Sequence, residues 1–223
     1  MDQRVAKKLF AWGAVAVILI SLLGCGGGTP EPTVEGDAET HLASGREHMD
    51  AGEITEAIAE FQTVIRLDPN SVEGHFRLGN AYFEQGDLAN ASTTFQRTLE
   101  LDPDNVDARS NLGAVYYEQG QFEKAATEFG RAIALAPEDA DIHYNLGATY
   151  VQQSKLDASI AEFREALRLD PTLARAYFGL GNAFRLQGKS QEAIEALQTF
   201  LPLNDDPQLQ AIAESLLTEL QGP

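Results

Sequence analysis

Residues 72–105 read VEGHFRLGNAYFEQGDLANASTTFQRTLELDPDN, and this stretch decides the fold. Its first half places His75, Gly79 and Tyr82 at spacings of four and three residues, which is one face of an α-helix. The second half has the same periodicity, in Leu88, Ala91, Phe95 and Leu99. Gly86 stands between the halves, where a helix end favours a left-handed residue. The stretch therefore predicts two short antiparallel helices.

The same pattern returns every 34 residues along most of the chain. Proline recurs at that interval in Pro69, Pro103, Pro137 and Pro171. Glycine recurs in Gly45, Gly79, Gly113, Gly147 and Gly181. Aligning on those glycines brings an apolar position into register, namely Phe61, Phe95, Phe129, Phe163 and Leu197. A fixed period of this length indicates a solenoid of stacked helix pairs. We expect small residues such as Ala91 to face the repeated glycines, and each Asp-Pro pair to begin the next helix.

The segments Leu78-Gly79-x-x-Tyr82, Leu112-Gly113-x-x-Tyr116 and Leu146-Gly147-x-x-Tyr150 resemble the tetratricopeptide repeat family. The resemblance implies an all-α fold, a right-handed α-solenoid of five helix-turn-helix repeats with a C-terminal capping helix. The predicted repeats are 38–71, 72–105, 106–139, 140–173 and 174–207, within 38–207. The capping helix is expected over 208–221, with its packing face formed by Leu209, Ile212, Leu216 and Leu220.

The first 24 residues are predicted to be a lipoprotein signal peptide. Three basic residues precede an apolar run over 9–23, which is short for a membrane span. Leu22-Leu23-Gly24-Cys25 resembles the bacterial lipobox, which implies lipidation of Cys25. Residues 25–37 would then form a flexible linker. The resemblance implies a lipid anchor in the cell envelope, on the outer membrane facing the periplasm in a two-membrane bacterium and on the outer face of the cell membrane otherwise. An uncleaved anchor is the alternative.

Net charge and cysteine content restrict the function further. A formal net charge of −18 disfavours nucleic acid as a partner. With Cys25 as the single cysteine, no intramolecular disulfide and no thiolate metal site can form. We expect no cofactor.

A second stripe on the first helix of each repeat is predicted to line a concave peptide-binding groove. Its candidate residues are Phe76, Asn80, Phe83, Asn111, Tyr117, Tyr144, Asn145, Phe178, Asn182 and Arg185. Aromatic rings can anchor a partner, and asparagines can pair with a peptide backbone. The alternative is that these rings simply pack against neighbouring repeats.

The charge of the groove residues predicts the chemical character of the ligand. Asn111 and Asn145 resemble the asparagine ladder of O-linked N-acetylglucosamine transferase, with a solvated helix face as the alternative, while the family's lysine-rich clamp for acidic tails is absent. Glu73, Asp107 and Asp141 add negative charge. We expect an extended or helical protein segment that is apolar with basic character.

No catalytic constellation is evident. His41, His75 and His143 share one repeat position, which indicates packing. Metal binding by His41 and His48 remains an alternative. We predict a membrane-tethered protein interaction scaffold in assembly of a bacterial envelope complex, and not an enzyme. The alternatives are a non-catalytic regulatory or carrier subunit of an envelope enzyme, and a metal hydrolase using the N-terminal histidines.

Overall fold

The computed structural model describes residues 36–222. The described residues form eleven α-helices: α1 Ala38–Asp50, α2 Ile54–Leu67, α3 Val72–Gln85, α4 Leu88–Leu101, α5 Val106–Glu118, α6 Phe122–Leu135, α7 Ala140–Gln152, α8 Leu156–Leu169, α9 Ala174–Leu186, α10 Ser190–Phe200 and α11 Pro207–Gln221. One turn of 3₁₀-helix, Leu201–Leu203, precedes α11. None of these helices is long and apolar enough to cross a membrane.

The helices stack in consecutive pairs, from α1 with α2 to α9 with α10. Each pair packs on the next, and α11 packs on α10 at the C-terminal end. The result is a right-handed α-solenoid, as predicted. We call the odd-numbered helices α1 to α9 the first helices and the even-numbered helices α2 to α10 the second helices of their repeats.

A glycine in each first helix lets a large side chain of the second helix approach closely, which is a phenylalanine in the first four repeats and Leu197 in the fifth. A Cβ atom added at Gly79 would lie 2.7 Å from Phe95 Cε1. Glycine inside a helix costs about 1 kcal/mol relative to alanine. Full burial of the Phe95 side chain, at 0 % exposure, contributes about 1.5–3 kcal/mol and offsets that cost. The atoms nearest to a Cβ at Gly79 therefore belong to Phe95 and not to the expected Ala91, and the glycine makes room for the phenylalanine ring.

The caps also differ from the sequence prediction. Asp68 lies at the C-terminal end of α2, and its carboxylate accepts a hydrogen bond from the Asn70 backbone N–H. Helix α3 begins only at Val72, with Ser71 as its N-cap. Asp-Pro therefore ends one helix and turns the chain, because the next helix needs a cap residue after the proline.

The residue four positions before the glycine ties the first helix to its surroundings in the first four repeats. His143 Nδ1 lies 2.6 Å from Glu162 Oε2 on α8, and its Nε2 lies 3.1 Å from the carbonyl oxygen of Pro137. Arg109 makes the equivalent pair of bonds, to Glu128 and to the carbonyl oxygen of Pro103. These contacts hold the two helices of a repeat to the preceding turn.

The packing face of α11 differs from the predicted one. Ala213 and Leu217 are buried, and Leu216 and Leu220 pack against them. Leu209 and Ile212 are 37 % and 48 % exposed. The helix lies rotated relative to the expected stripe, so that the small side chain of Ala213 provides the close contact with the last repeat.

Candidate functional site

The first helices of neighbouring repeats lie side by side and form one continuous surface. Asn111 Nδ2 on α5 donates to Asn80 Oδ1 on α3 at 2.8 Å. Gln152 Nε2 on α7 donates to the hydroxyl oxygen of Tyr117 on α5 at 3.2 Å. We call this surface the groove, because it carries two cavities.

All ten predicted groove residues lie on the first helices and are half-buried. They are Phe76, Asn80 and Phe83 on α3, Asn111 and Tyr117 on α5, Tyr144 and Asn145 on α7, and Phe178, Asn182 and Arg185 on α9. Half-burial holds a side chain in place while leaving part of it accessible.

Three of these rings rest on buried phenylalanines of their own repeats. The ring centroids are 6.2 Å apart for Phe76 and Phe95, and 5.8 Å apart for Tyr144 and Phe163. Phe178 lies 5.2 Å from Phe200 in the same way. One side of each ring is therefore buried by packing within the protein. The other side is accessible to a partner.

The first cavity lies between α5 and α7 and has a volume of about 180 Å³. Its lining is mostly apolar and aromatic: Ala114, Tyr117, Glu118, Phe129, Tyr144, Asn145 and Ala148. The side-chain amide of Asn145 makes no hydrogen bond with any described residue, whereas Asn80 and Asn111 pair with each other. The side-chain amide of Asn111 thus uses one N–H on Asn80, whereas that of Asn145 is unpaired among the described residues.

Arg175 covers one edge of this region. Its guanidinium carbon lies 4.7 Å from the centroid of the Tyr144 ring, and the group is paired with Asp141. Burial raises the pKa of Tyr144 above its ordinary value, which keeps the phenol protonated. Asp141 already has a cationic partner, Arg175, within the protein.

The second cavity lies between α1 and α3, with a volume of about 410 Å³ and more charge. Its lining is Arg46, Met49, Asp50, Gly52, Ile54, Phe61, Arg77, Asn80 and Glu84. Arg46 and Arg77 both donate to Glu73 Oε1, at 2.8 and 2.6 Å. Partial burial alone would raise the pKa of Glu73, but the hydrogen bonds from the two arginines outweigh it and hold the pKa below its ordinary value.

Sequence reasoning missed the unpaired carboxylates that line the two cavities, although it named Asp107, which also makes no ion pair within residues 36–222 and lines neither cavity. Asp50, Glu84 and Glu118 are exposed, line the two cavities and make no ion pair within residues 36–222. They follow the repeated glycines by five residues, so the 34-residue period could have revealed them. Of the acids named from the sequence, Glu73 and Asp141 are paired with arginines.

The remaining candidate residues named from the sequence are the N-terminal histidines and Cys25. His41 Nδ1 pairs with Glu60 at 2.5 Å, and His48 Nδ1 pairs with Glu53 at 2.6 Å. No group of three or more His, Cys, Asp or Glu residues within the described part of the chain could hold a metal ion. The predicted lipidation site Cys25 lies outside the described residues.

Models of known protein families match the repeats along most of the described chain. Models described as TPR repeat and tetratricopeptide repeat match residues 45–86, 79–120, 113–154, 149–188 and 174–206. The chain belongs to the tetratricopeptide repeat family.

Solved structures show the same fold. A crystal structure of MamA is 28 % identical, covers 71 % of this chain and 93 % of its own, and superimposes with a TM-score of 0.68. MamA from Desulfovibrio magneticus RS-1 is 26 % identical over 76 % of this chain and 97 % of its own, at a TM-score of 0.71. YrrB, described as a TPR protein with an unusual peptide-binding site, is 22 % identical over 80 % of this chain and 92 % of its own, at a TM-score of 0.67. No curated protein matches the chain.

Proposed function

We propose that the protein is a membrane-tethered interaction scaffold whose groove binds a segment of another protein. The tetratricopeptide fold supports a protein–protein interaction role in general. YrrB, which shares that fold, is described as having a peptide-binding site, but its identity of 22 % supports the fold alone. The binding proposal therefore rests on the groove residues of this chain.

The observation that carries the proposal is the cavity between α5 and α7, lined by Tyr117 and Tyr144. An apolar protein cavity of about 150 Å³ can admit a benzene ring, so about 180 Å³ suffices for one aromatic or aliphatic side chain. Aromatic pockets of this kind supply the anchor contacts of protein interfaces. Neighbouring half-buried rings, Phe76 and Phe178, extend the same surface along the solenoid.

Photocrosslinking tests this proposal in the native cell. Benzoylphenylalanine is introduced in place of Gln152 at the groove edge, and separately in place of the exposed Leu135, which lines neither groove cavity. We expect a covalent adduct with one or a few proteins from position 152 and none of these from position 135. Equal adducts from both positions, or none from 152, would overturn groove binding.

The tether and the cellular role form the second part of the proposal. The basic start, the apolar run over 9–23 and Cys25 support a lipid anchor, and an anchored scaffold suits assembly of an envelope complex. Intact-mass analysis of the native protein tests the anchor. We expect a chain beginning at Cys25 with added acyl mass, and membrane release of a Cys25→Ser variant. An unmodified terminus at Met1 would contradict it.

A further inference from the structure

The unpaired carboxylates of the groove occupy one edge of the solenoid. Asp50 and Glu118 are the last residues of α1 and α5, and Glu84 is the second-last residue of α3. Repeats four and five carry Gln152 and Leu186 at this position, so the row of carboxylates, Asp50, Glu84 and Glu118, is confined to the first three repeats. We call it the acidic row.

The acidic row has no stabilising role in the fold. The C-terminal end of a helix carries partial negative charge, so a carboxylate there is destabilising. No lysine or arginine within residues 36–222 forms an ion pair with any of the three residues. Arg46 and Arg77 line the same cavity as Asp50 and Glu84, but both are held by Glu73. Residues that are unfavourable for their own helix, as a carboxylate at a C-terminal end is, are expected at functional sites.

The groove also offers a free hydrogen-bonding group near its apolar cavity. Asn145 lines that cavity, and its side-chain amide is unpaired among the described residues. An amide of this kind can bond to the backbone of an extended segment, whereas a helix already uses its backbone groups internally. This favours an extended ligand over a helical one.

We propose that the occupant of the groove is an extended segment with lysine or arginine side chains on the acidic row and one aromatic or aliphatic side chain between Tyr117 and Tyr144. This inference rests on the proposed function. The acidic row lies in repeats one to three and the cavity between repeats three and four. All basic residues of the ligand therefore lie on one side of its apolar anchor.

The spacing of the basic residues follows from the stacking. Helices in direct contact lie about 8–10 Å apart, and we take the same separation for the first helices of successive repeats. A polyproline II segment rises about 3.1 Å per residue and completes a turn in three residues, or about 9 Å. Basic residues at every third position therefore meet successive carboxylates of the acidic row.

The test compares two triple variants in the crosslinking experiment at position 152. The groove variant carries Asp50→Asn, Glu84→Gln and Glu118→Gln. The control variant carries Glu56→Gln, Glu123→Gln and Glu192→Gln, which lie exposed in the first turns of second helices. Both variants remove three negative charges. The control removes them at helix N-termini, where a carboxylate is stabilising, so only the control should lose stability.

We expect adduct yield to fall roughly threefold or more in the groove variant, from roughly 1.4- to 5-fold per exposed charge pair. The control should keep the wild-type yield, and the crosslinked segment should show Lys or Arg in steps of three on one side of its anchor. An adduct unchanged in the groove variant, or a segment without basic residues, would overturn this inference and leave groove binding standing. Absence of any wild-type adduct would overturn both.

Discussion

Asn111 donates its side-chain amide to Asn80 Oδ1 at 2.8 Å, which joins the groove faces of the second and third repeats. The bond lies between half-buried groups of different helix pairs. It therefore couples neighbouring repeats, and in a solenoid such interfaces carry much of the stability.

A double-mutant cycle measures this coupling. Replacing Asn80 and Asn111 by alanine, singly and together, should give a coupling free energy of about 0.5–1.5 kcal/mol in urea unfolding. The pair Asn145 and Asn182, which share no hydrogen bond, serves as the control and should give a value near zero. Additive losses for Asn80 and Asn111 would show that the bond does not couple the repeats.

The two kinds of helical glycine should respond in opposite directions to alanine. A Cβ atom at Gly147 would lie 2.8 Å from Phe163 Cδ1, so Gly147→Ala should lower the free energy of unfolding by about 1–3 kcal/mol. Gly130 in α6 is exposed and a Cβ there meets no neighbouring atom within 4 Å. Gly130→Ala should raise the free energy by about 0.5–1 kcal/mol. Equal effects in denaturant unfolding would refute this explanation of the repeated glycine.

Ser159 occupies a position where the other four repeats have alanine, and its buried hydroxyl oxygen has no hydrogen-bond partner among residues 36–222. Burying an unpaired hydroxyl costs about 1–3 kcal/mol. Ser159→Ala should therefore raise the free energy of unfolding by about 1–2 kcal/mol. The reverse change at the equivalent Ala125 should lower it by a similar amount. A loss of stability in Ser159→Ala would mean that the hydroxyl has a partner.

The cap of α4 should respond to acid. The backbone N–H of Asn90 and then its side-chain amide donate to Asp87 and hold the pKa of that carboxyl below its ordinary value. Because the folded-state pKa is lowered, the stabilisation is present above about pH 4 and is lost as the pH falls through the folded value. Asp87→Asn keeps an acceptor at every pH and should lose less stability than wild type between pH 5 and about pH 2.5. Identical acid profiles in urea unfolding would contradict this role.

The regular part of the fold was predictable because it is periodic. The glycines, prolines and apolar residues recur every 34 residues, and each recurrence supports the same helix pair. The sequence did not show that Gly79 faces Phe95, because periodicity gives the face of a helix and not its partner. Helix α11 has no second copy to align with, and for that reason its packing face was only half predicted: Leu216 and Leu220 pack as expected, but Leu209 and Ile212 are exposed.

The position of the groove residues was predictable from the sequence, but which of their charges are free of ion pairs was not. Helical spacing placed Tyr117 and Tyr144 on one surface, and they line one cavity. Whether a carboxylate is free depends on contacts between repeats, such as Arg46 on α1 with Glu73 on α3, and these have no local sequence signal. The period could have revealed the positions of Glu84 and Glu118, but only the structure shows that they line cavities and form no ion pair within residues 36–222.

The central claim is that the groove holds a partner protein, and filling its cavity tests this most directly. Ala148→Phe would occupy the cavity between α5 and α7, whereas Ala161→Phe adds the same group at an exposed position of α8. Partners are captured from native membranes with wild-type protein and both variants, after urea unfolding has shown that each variant remains folded. We predict that Ala148→Phe loses at least one partner that wild type and Ala161→Phe retain. An identical set of partners from all three proteins would contradict groove binding.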